Sequence, residues 1–424
     1  MSTLSKKGSD LLNWVDYRLP IVKAFKTHMS EYYAPKNLNF WYFFGVLAML
    51  ALGNQLLSGI WLTMFYTPTL EGAFDSIEYI MRDVQSGWII RYMHEVGASF
   101  FFIAVYLHIY RGFLYGSYKE PRELVWLIGM VIYLLMMAEG FFGYVLPFGN
   151  MSYWGAKVIL SLISTIPLVG EDLQVWVQGD FFIGGATLSR FFAFHVALFP
   201  LILIAGVFLH IVALHQVGSN NPEGIDIKAR KDEKGIPLDG IPFHPYYTVH
   251  DLIPVVIFFM LFFAAVFYFP GGGGYFIEAP NYLPANNLST PDHIAPVWYF
   301  TPFYAMLRAV TVNFLGIDAK LWGLIVMGGA IVIVFFLPWL DRSPVRSIRY
   351  KGRISKVFLM IWTISFLCLG VLGVKPADWA PFWASPTFTF IYFAYFALMP
   401  FFTKWETCKT VPDRIKAHGK RQQQ

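Results

Sequence analysis

The sequence predicts an all-α, polytopic membrane protein with eight transmembrane helices, the first four forming a four-helix bundle. Three observations lead there. Charged residues make up only 14% of the 424 positions against 56% hydrophobic, whereas soluble domains average about 25% charged. Apolar runs such as 322–340 and 357–374 match the roughly 20 residues that span a bilayer. Finally, 25 of the 32 lysines and arginines fall in alternate connections while the 27 acidic residues divide almost evenly, which is the asymmetry that sets membrane topology.

The elements follow in order. Segment 1–39 is charged and holds no apolar stretch ending at a cleavage site, so no removable signal peptide is expected. Spans A (40–66), B (89–115), C (124–146) and D (187–217) make up the bundle, 40–217. A polar connection, 218–250, leads to spans E (251–270), F (321–340), G (355–374) and H (387–402), and a basic tail, 405–424, closes the chain. An even number of crossings puts both termini on one side. The lysine and arginine excess makes that side cytoplasmic, and membrane lipid rather than nucleic acid accounts for the net charge of +5. Between C and D, residues 151–166 carry apolar positions at helical spacing between Gly149 and Pro167, as in a helix lying in the interface plane. Between E and F, the loop 271–320 is rich in Pro, Gly and Trp, and loops of that length are more often functional than idle. Cys368 and Cys408 lie far apart, which excludes a CxxC metal site and a covalent CxxCH haem.

Four histidines on two spans carry the sharpest chemical signal. His94 and His108 are 14 apart on B, and His195 and His210 are 15 apart on D. At 100° per residue each pair lies roughly on one helix face, its members about 21–22 Å apart along the axis. His94 can therefore meet His195 at one depth and His108 can meet His210 at another. Facing imidazoles at two levels are what two non-covalent, bis-histidine b haems require. The plainer reading is that buried histidines hydrogen-bond neighbouring helices, which suits one isolated histidine better than four in matched pairs. Gly45 and Gly59 on A, and Gly129 and Gly143 on C, repeat the 14-residue spacing and would clear space for a flat macrocycle, although small residues also serve ordinary helix packing. Arg91, Arg111 and Arg190 stand where haem carboxylates need cations, or else snorkel to the interface.

Several longer segments then carry a resemblance: RYMHEVGASFFFIAVYLHIYRGFLYGSY (91–118), GYVLPFGNMSYWGAKVI (143–159), RFFAFH (190–195), HQVGSNNP (215–222), FHPYYTVHD (243–251) and PVWYFTPFYAMLR (296–308). Together the chain resembles cytochrome b, the quinone-reactive subunit of the cytochrome bc complex (ubiquinol–cytochrome c reductase), of bacterial type. The resemblance implies a low-potential haem between His94 and His195, contacted by Gln55 and Arg91, and a high-potential haem between His108 and His210, contacted by Arg111. It implies an outer quinol-oxidation site at Tyr144, Gly155, Pro296, Trp298, Tyr299 and Tyr304, and an inner quinone-reduction site at His215, Ser219 and Asp251. It further implies a Rieske iron–sulfur protein and a cytochrome c-type subunit as partners, a homodimer, proton translocation, and a place in the bacterial cytoplasmic membrane. Two other readings are a dihaem anchor of another quinone-linked enzyme, which would lack the long loop with PVWY, and a proton-coupled transporter, whose internal repeat is not evident.

Three departures from the family pattern stand out. The usual Pro-Glu-Trp-Tyr is here Pro296, Val297, Trp298 and Tyr299, so the carboxylate assigned to accept a quinol proton is missing. Asp251 follows His250 where many members have lysine. The 15-residue spacing of His195 and His210 exceeds the usual respiratory 14, which a local bulge or a changed ligand angle would absorb. An intramembrane carboxylate is costly, so Glu139, one turn before Gly143 and Tyr144, is the expected replacement for the missing acid, with Asp292 and His293 as competitors.

Overall fold

A computed structural model describes residue 10 and residues 13–415. Residues 1–9, 11 and 12 of the expected charged start, and the last part of the basic tail, 416–424, lie outside the described residues. The helices that matter are α1 (Phe43–Thr63), α2 (Gly72–Arg82), α3 (Gly87–Tyr115), α4 (Glu123–Val145), α5 (Asn150–Ile163) and α6 (Gly170–Gln178). The fourth span runs as α7 (Gly185–Ala193), a π-helical turn Phe194–Leu198, and α8 (Phe199–Val217). The second half holds α9 (Leu252–Tyr268), α10 (Thr301–Arg308), α11 (Ala319–Phe335), α12 (Arg353–Val374) and α13 (Ala384–Trp405).

Among the described residues, seven helical segments are long and apolar enough to cross a membrane, and α11 is a shorter apolar helix. Its 17 residues cover about 26 Å, close to the hydrocarbon thickness of roughly 30 Å. With α11 as the eighth crossing, the order matches spans A to H. Both long connections are more structured than expected. Helix α5 occupies the segment after span C where a helix is expected, α6 follows it in the same connection, and α2 lies between the first two spans, neither of the last two being expected from the sequence.

In the first half α1 packs along α3 and α8 along α4, forming the four-helix bundle. The second half packs on it through a buried aromatic seam: Trp126, Tyr133 and Met136 of α4 meet Ala330 and Val334 of α11 and Trp362, Tyr392 and Phe396 of α12 and α13. One indole and one phenol in that seam donate to backbone carbonyls of α11, Trp126 Nε1 to Val334 at 2.9 Å and Tyr392 Oη to Ala330 at 2.8 Å. Buried polar tips are thereby satisfied.

The two ends of the bundle differ. At one end β1 (Tyr33–Pro35) pairs antiparallel with β2 (Gly240–Pro242), and Asp239 binds Lys36 at 2.8 Å and Arg414 at 2.7 Å. Burial alone would raise the Asp239 carboxyl, but its bonds to Arg414 and Lys36 outweigh that and hold it below its ordinary value. Asp341, fully buried, accepts from Tyr118 at 2.7 Å and Lys351 at 2.5 Å and pairs with Lys119 at 3.2 Å. Gly116 ends α3 with φ +63°, where an added Cβ would stand 2.5 Å from the Arg346 carbonyl, so only glycine fits this junction. The described parts of both terminal segments thus share one end with the 218–250 connection, as an even number of crossings requires. At the other end, α5 joins the 271–318 loop: Leu283 accepts from Asn150 N at 2.9 Å, and Asn281 Oδ1 accepts from Ser152 N at 2.8 Å.

Candidate functional site

The four histidines meet in the two pairs that their spacing predicts. The ring centroids of His94 and His195 are 6.0 Å apart with planes at 90°, and those of His108 and His210 are 6.3 Å apart at 62°. The π-helical turn Phe194–Leu198 contains His195. Such a turn takes one residue more than an α-helical turn, and this bulge accommodates the 15-residue spacing.

Each histidine is backed by one of the four glycines. A Cβ on Gly45 would come within 3.3 Å of His108 Nδ1, one on Gly59 within 3.1 Å of His94 Cε1, one on Gly129 within 3.1 Å of His210 Cε1, and one on Gly143 within 2.8 Å of His195 Nδ1. The nearest side chains to these glycines are the imidazoles themselves, whereas the sequence reading had them clearing a macrocycle. Their missing side chains admit the rings.

A bis-histidine iron fits this arrangement. An imidazole–metal bond of roughly 2 Å, as on zinc, plus about 1.1 Å from nitrogen to ring centre, places two trans rings about 6.2 Å apart. Among the described residues there is no cluster of three or more His, Cys, Asp or Glu side chains able to hold a bare ion. The pairs therefore suit a group that brings its own equatorial ligands.

A cavity of about 660 Å³ surrounds the His94–His195 pair, within the size range of small-molecule sites. Gln55, Gly59, Arg91, Glu139, Gly143 and Tyr144 line it, joined by Val297 and Tyr299 from the loop. Gln55 donates to the His94 carbonyl at 2.9 Å, Ser58 Oγ lies 3.0 Å from His94 Nδ1, and Arg91 pairs with Glu95. Arg190 donates to the Trp176 carbonyl. At the other level, Arg111 reaches His108 Nδ1 at 3.4 Å and stacks on Tyr42.

The loop residues reach the cavity unequally. Val297 is 3% exposed, and Tyr299 stacks on Phe102 with centroids 3.7 Å apart while its carbonyl accepts from Tyr106 at 2.5 Å. Trp298 donates to Ser99 Oγ at 3.1 Å, one step behind the wall. Tyr304 donates to the Ile294 carbonyl at 3.1 Å, and Gly155 stands beside Tyr144, its Cβ position 3.9 Å from that ring. Pro296, Trp298, Tyr304 and Gly155 frame the cavity without lining it.

Of the acids, Glu139 does line the cavity, but its Oε1 lies 3.0 Å from His195 Nδ1. Its carboxylate is thus engaged by a histidine of the pair. Among the competitors, His293 Nε2 lies 3.0 Å from the Val374 carbonyl, and neither it nor Asp292 lines the cavity. An acid that sequence reasoning missed is Glu278, which stands behind the lining residue Tyr144 rather than in the cavity wall. Its Oε2 accepts from Tyr144 Oη at 2.9 Å and from Asn281 Nδ2 at 3.2 Å, and burial pushes its carboxyl up to about 7. No local signal marked it, because its partner lies 134 residues away.

Near the other end, His215 stacks on Tyr32 with centroids 4.3 Å apart and planes at 8°. Tyr32, placed there by the β1–β2 pairing, was also missed. Arg122 donates to the Ser219 carbonyl at 3.5 Å. Asp251 precedes α9, with Phe243 and Tyr247 leading from Tyr32 toward it.

The sequence matches the family model "Cytochrome b/b6/petB" over residues 29–218 and "Cytochrome b(C-terminal)/b6/petD" over 284–393. It is 57% identical to "Cytochrome b" of Allochromatium vinosum over 97% of this chain and 100% of that one. It is 49% identical to "Cytochrome b" of Rickettsia prowazekii over 96% and 98% respectively. A solved structure titled "Hyperthermophilic respiratory Complex III" superposes with a TM-score of 0.84 at 34% identity, covering 93% of this chain and 99% of that one. Matches of this extent and identity show that the chain belongs to the cytochrome b family, the membrane subunit of cytochrome bc complexes.

Proposed function

We propose that the chain holds two b haems, one between His94 and His195 and one between His108 and His210, and that it oxidises quinol beside the first and reduces quinone near the second. The two imidazole pairs, each with ring centroids about 6 Å apart, room for an iron between them, and each backed by glycines, carry this reading. When bound, the haems pass single electrons between the two levels. Gln55 and Arg91 stand at the first level and Arg111 at the second, with Arg190 the further cation near the first.

Quinol oxidation releases two electrons and two protons. In this reading one electron leaves to a Rieske iron–sulfur protein and on to a cytochrome c-type subunit, and the other enters the haem path. Tyr144, Tyr299 and Val297 shape the pocket, and Pro296, Trp298, Tyr304 and Gly155 hold that wall. Val297 cannot take a proton. Glu278, one hydrogen bond behind Tyr144, can, and its elevated carboxyl suits a base working near neutral pH. The role expected of Glu139 passes to it. At the inner site His215, Ser219 and Asp251, with Tyr32 stacked on His215, bind quinone and deliver protons from the side that carries both termini. That side is the cytoplasmic face of a bacterial inner membrane, and the assembly is a dimer of the complex in membrane lipid.

The test is rapid mixing of the purified complex with quinol, following the haem spectrum. Two b haems reduced in succession support the reading, and a quinol-driven reaction that bypasses haem reduction refutes it.

A further inference from the structure

We propose that Glu139 is a positioning residue whose carboxylate accepts from His195 Nδ1–H and lowers the reduction potential of the outer haem relative to the inner one. The inference rests on the assignment of His195 as an iron ligand and goes beyond it, because it names what makes the two haem levels unequal.

The four histidines differ in what stands at Nδ1, and that of His210 has no side-chain hydrogen-bond partner. His195 Nδ1 lies 3.0 Å from Glu139 Oε1 and 3.0 Å from the Glu139 carbonyl. His94 Nδ1 has the neutral Ser58 hydroxyl at 3.0 Å, and His108 Nδ1 has the Arg111 guanidinium at 3.4 Å. Among the described residues His195 alone of the four has a carboxylate on its ring. Glu139 has no competing engagement: its other oxygen, Oε2, is buried without a hydrogen-bond partner.

The helix provides both halves of the device. Glu139 and Gly143 are one turn apart on the same face of α4. Gly143 admits the ring and Glu139 holds it. Sharing Nδ1–H between the side chain and the carbonyl of one residue fixes the tautomer with Nε2 free, and a carboxylate acceptor makes the bond stronger than a neutral one. A carboxylate on the far nitrogen makes the imidazole a more basic ligand, and a more basic ligand favours ferric over ferrous iron. At the inner level the cationic Arg111 on His108 pushes the opposite way. The two levels therefore separate in potential, with the outer haem the lower.

The test is a redox titration of the purified complex with the two b haems resolved, comparing wild type with Glu139→Gln, which keeps the shape and loses the charge. Altering an outer-shell partner of a metal ligand changes affinity about 10- to 100-fold. A tenfold loss of preference for ferric iron appears as an upward shift of about 59 mV for a one-electron couple. The expected result is a shift of at least that size in the outer haem alone. An outer potential that stays put with both haems bound overturns the inference, as does an equal shift of both haems. If Glu139→Gln does not retain the outer haem, Glu139→Asp, with a shorter reach to Nδ1, is titrated instead. An upward shift supports the inference, and an unmoved potential or a lost outer haem overturns it. His195→Ala serves as the separate control: retention of both haems there refutes the ligand assignment itself.

Discussion

Gly143→Ala is the substitution whose effect follows most directly from the geometry. The added Cβ would stand 2.8 Å from His195 Nδ1 and 2.9 Å from Nε2, where ordinary contact begins at 3.4 Å. It would collide outright with Cε1, the nearest ring atom, so the ring must retreat by about 1 Å, and its Nδ1 is tethered to Glu139 at 3.0 Å. Retreat lengthens that bond and changes the ring's position relative to His94. Overpacking of this kind costs about 1–3 kcal/mol, which converts to a roughly 5- to 160-fold loss of haem affinity at that level. Gly45→Ala is the internal comparison, because its Cβ would stand 3.3 Å from His108 and needs only about 0.1 Å of adjustment. Haem per chain and the reduced-minus-oxidised spectrum of the purified complex read both variants. Gly143→Ala should lose the outer haem selectively while Gly45→Ala keeps both. Two haems at native stoichiometry and native potentials in Gly143→Ala would refute the claim that this glycine exists to admit the ring.

Other outcomes follow from the same structure. Burial raises the Glu278 carboxyl to about 7, so its basic form is lost as pH falls through that value; quinol oxidation should slow there, and Glu278→Gln should remove this limb and cost about 100-fold at pH 8, whereas an unchanged pH–rate profile would exclude Glu278 as the base. Tyr32→Ala, which removes the ring stacked on His215, should slow quinone-driven oxidation of the inner haem roughly 2- to 13-fold, the equivalent of about 0.5–1.5 kcal/mol for an aromatic pair, with outer-site quinol oxidation unaffected. Asp341 is buried, which alone would raise its carboxyl, but Lys351 and Lys119 hold it below its ordinary value. Its charged form then stabilises the fold above the ordinary carboxylate range, and that contribution is lost as pH falls through the depressed value. Lys351→Met should lower the thermal midpoint in detergent, at a cost of about 3 kcal/mol for an incompletely compensated buried charge, and shift acid unfolding to higher pH; a midpoint equal to wild type would show that Lys119 suffices.

The parts of the fold legible in sequence were those written as periodicity. The histidine spacings of 14 and 15 and the matching glycines predicted which rings meet, because a helix converts residue number into depth and direction. The excess residue between His195 and His210 was legible as an anomaly that either a bulge or a changed ligand angle would absorb, and the π-helical turn Phe194–Leu198 is the bulge. Legibility ended where contacts depend on loops closing over long separations. Glu278 meets Tyr144 and Tyr32 meets His215 only because the chain returns to the same end of the bundle. Neither residue sits in a pattern that local sequence could reveal. Glu139 is the intermediate case. An intramembrane carboxylate marked the position, but its partner depends on the rotation of α4 against the π-helical turn, which spacing alone does not give. Helices α2 and α6 escaped for a different reason: each is short and mixed in polarity, and its stability comes from packing on neighbours rather than from propensity.

The most direct measurement is the haem content and redox titration of the purified complex, for wild type and for His195→Ala and His210→Ala. The account predicts two b haems per chain in two resolved waves, with each substitution abolishing a different wave. A chain that binds a single b haem, or that retains both waves after either substitution, would contradict it.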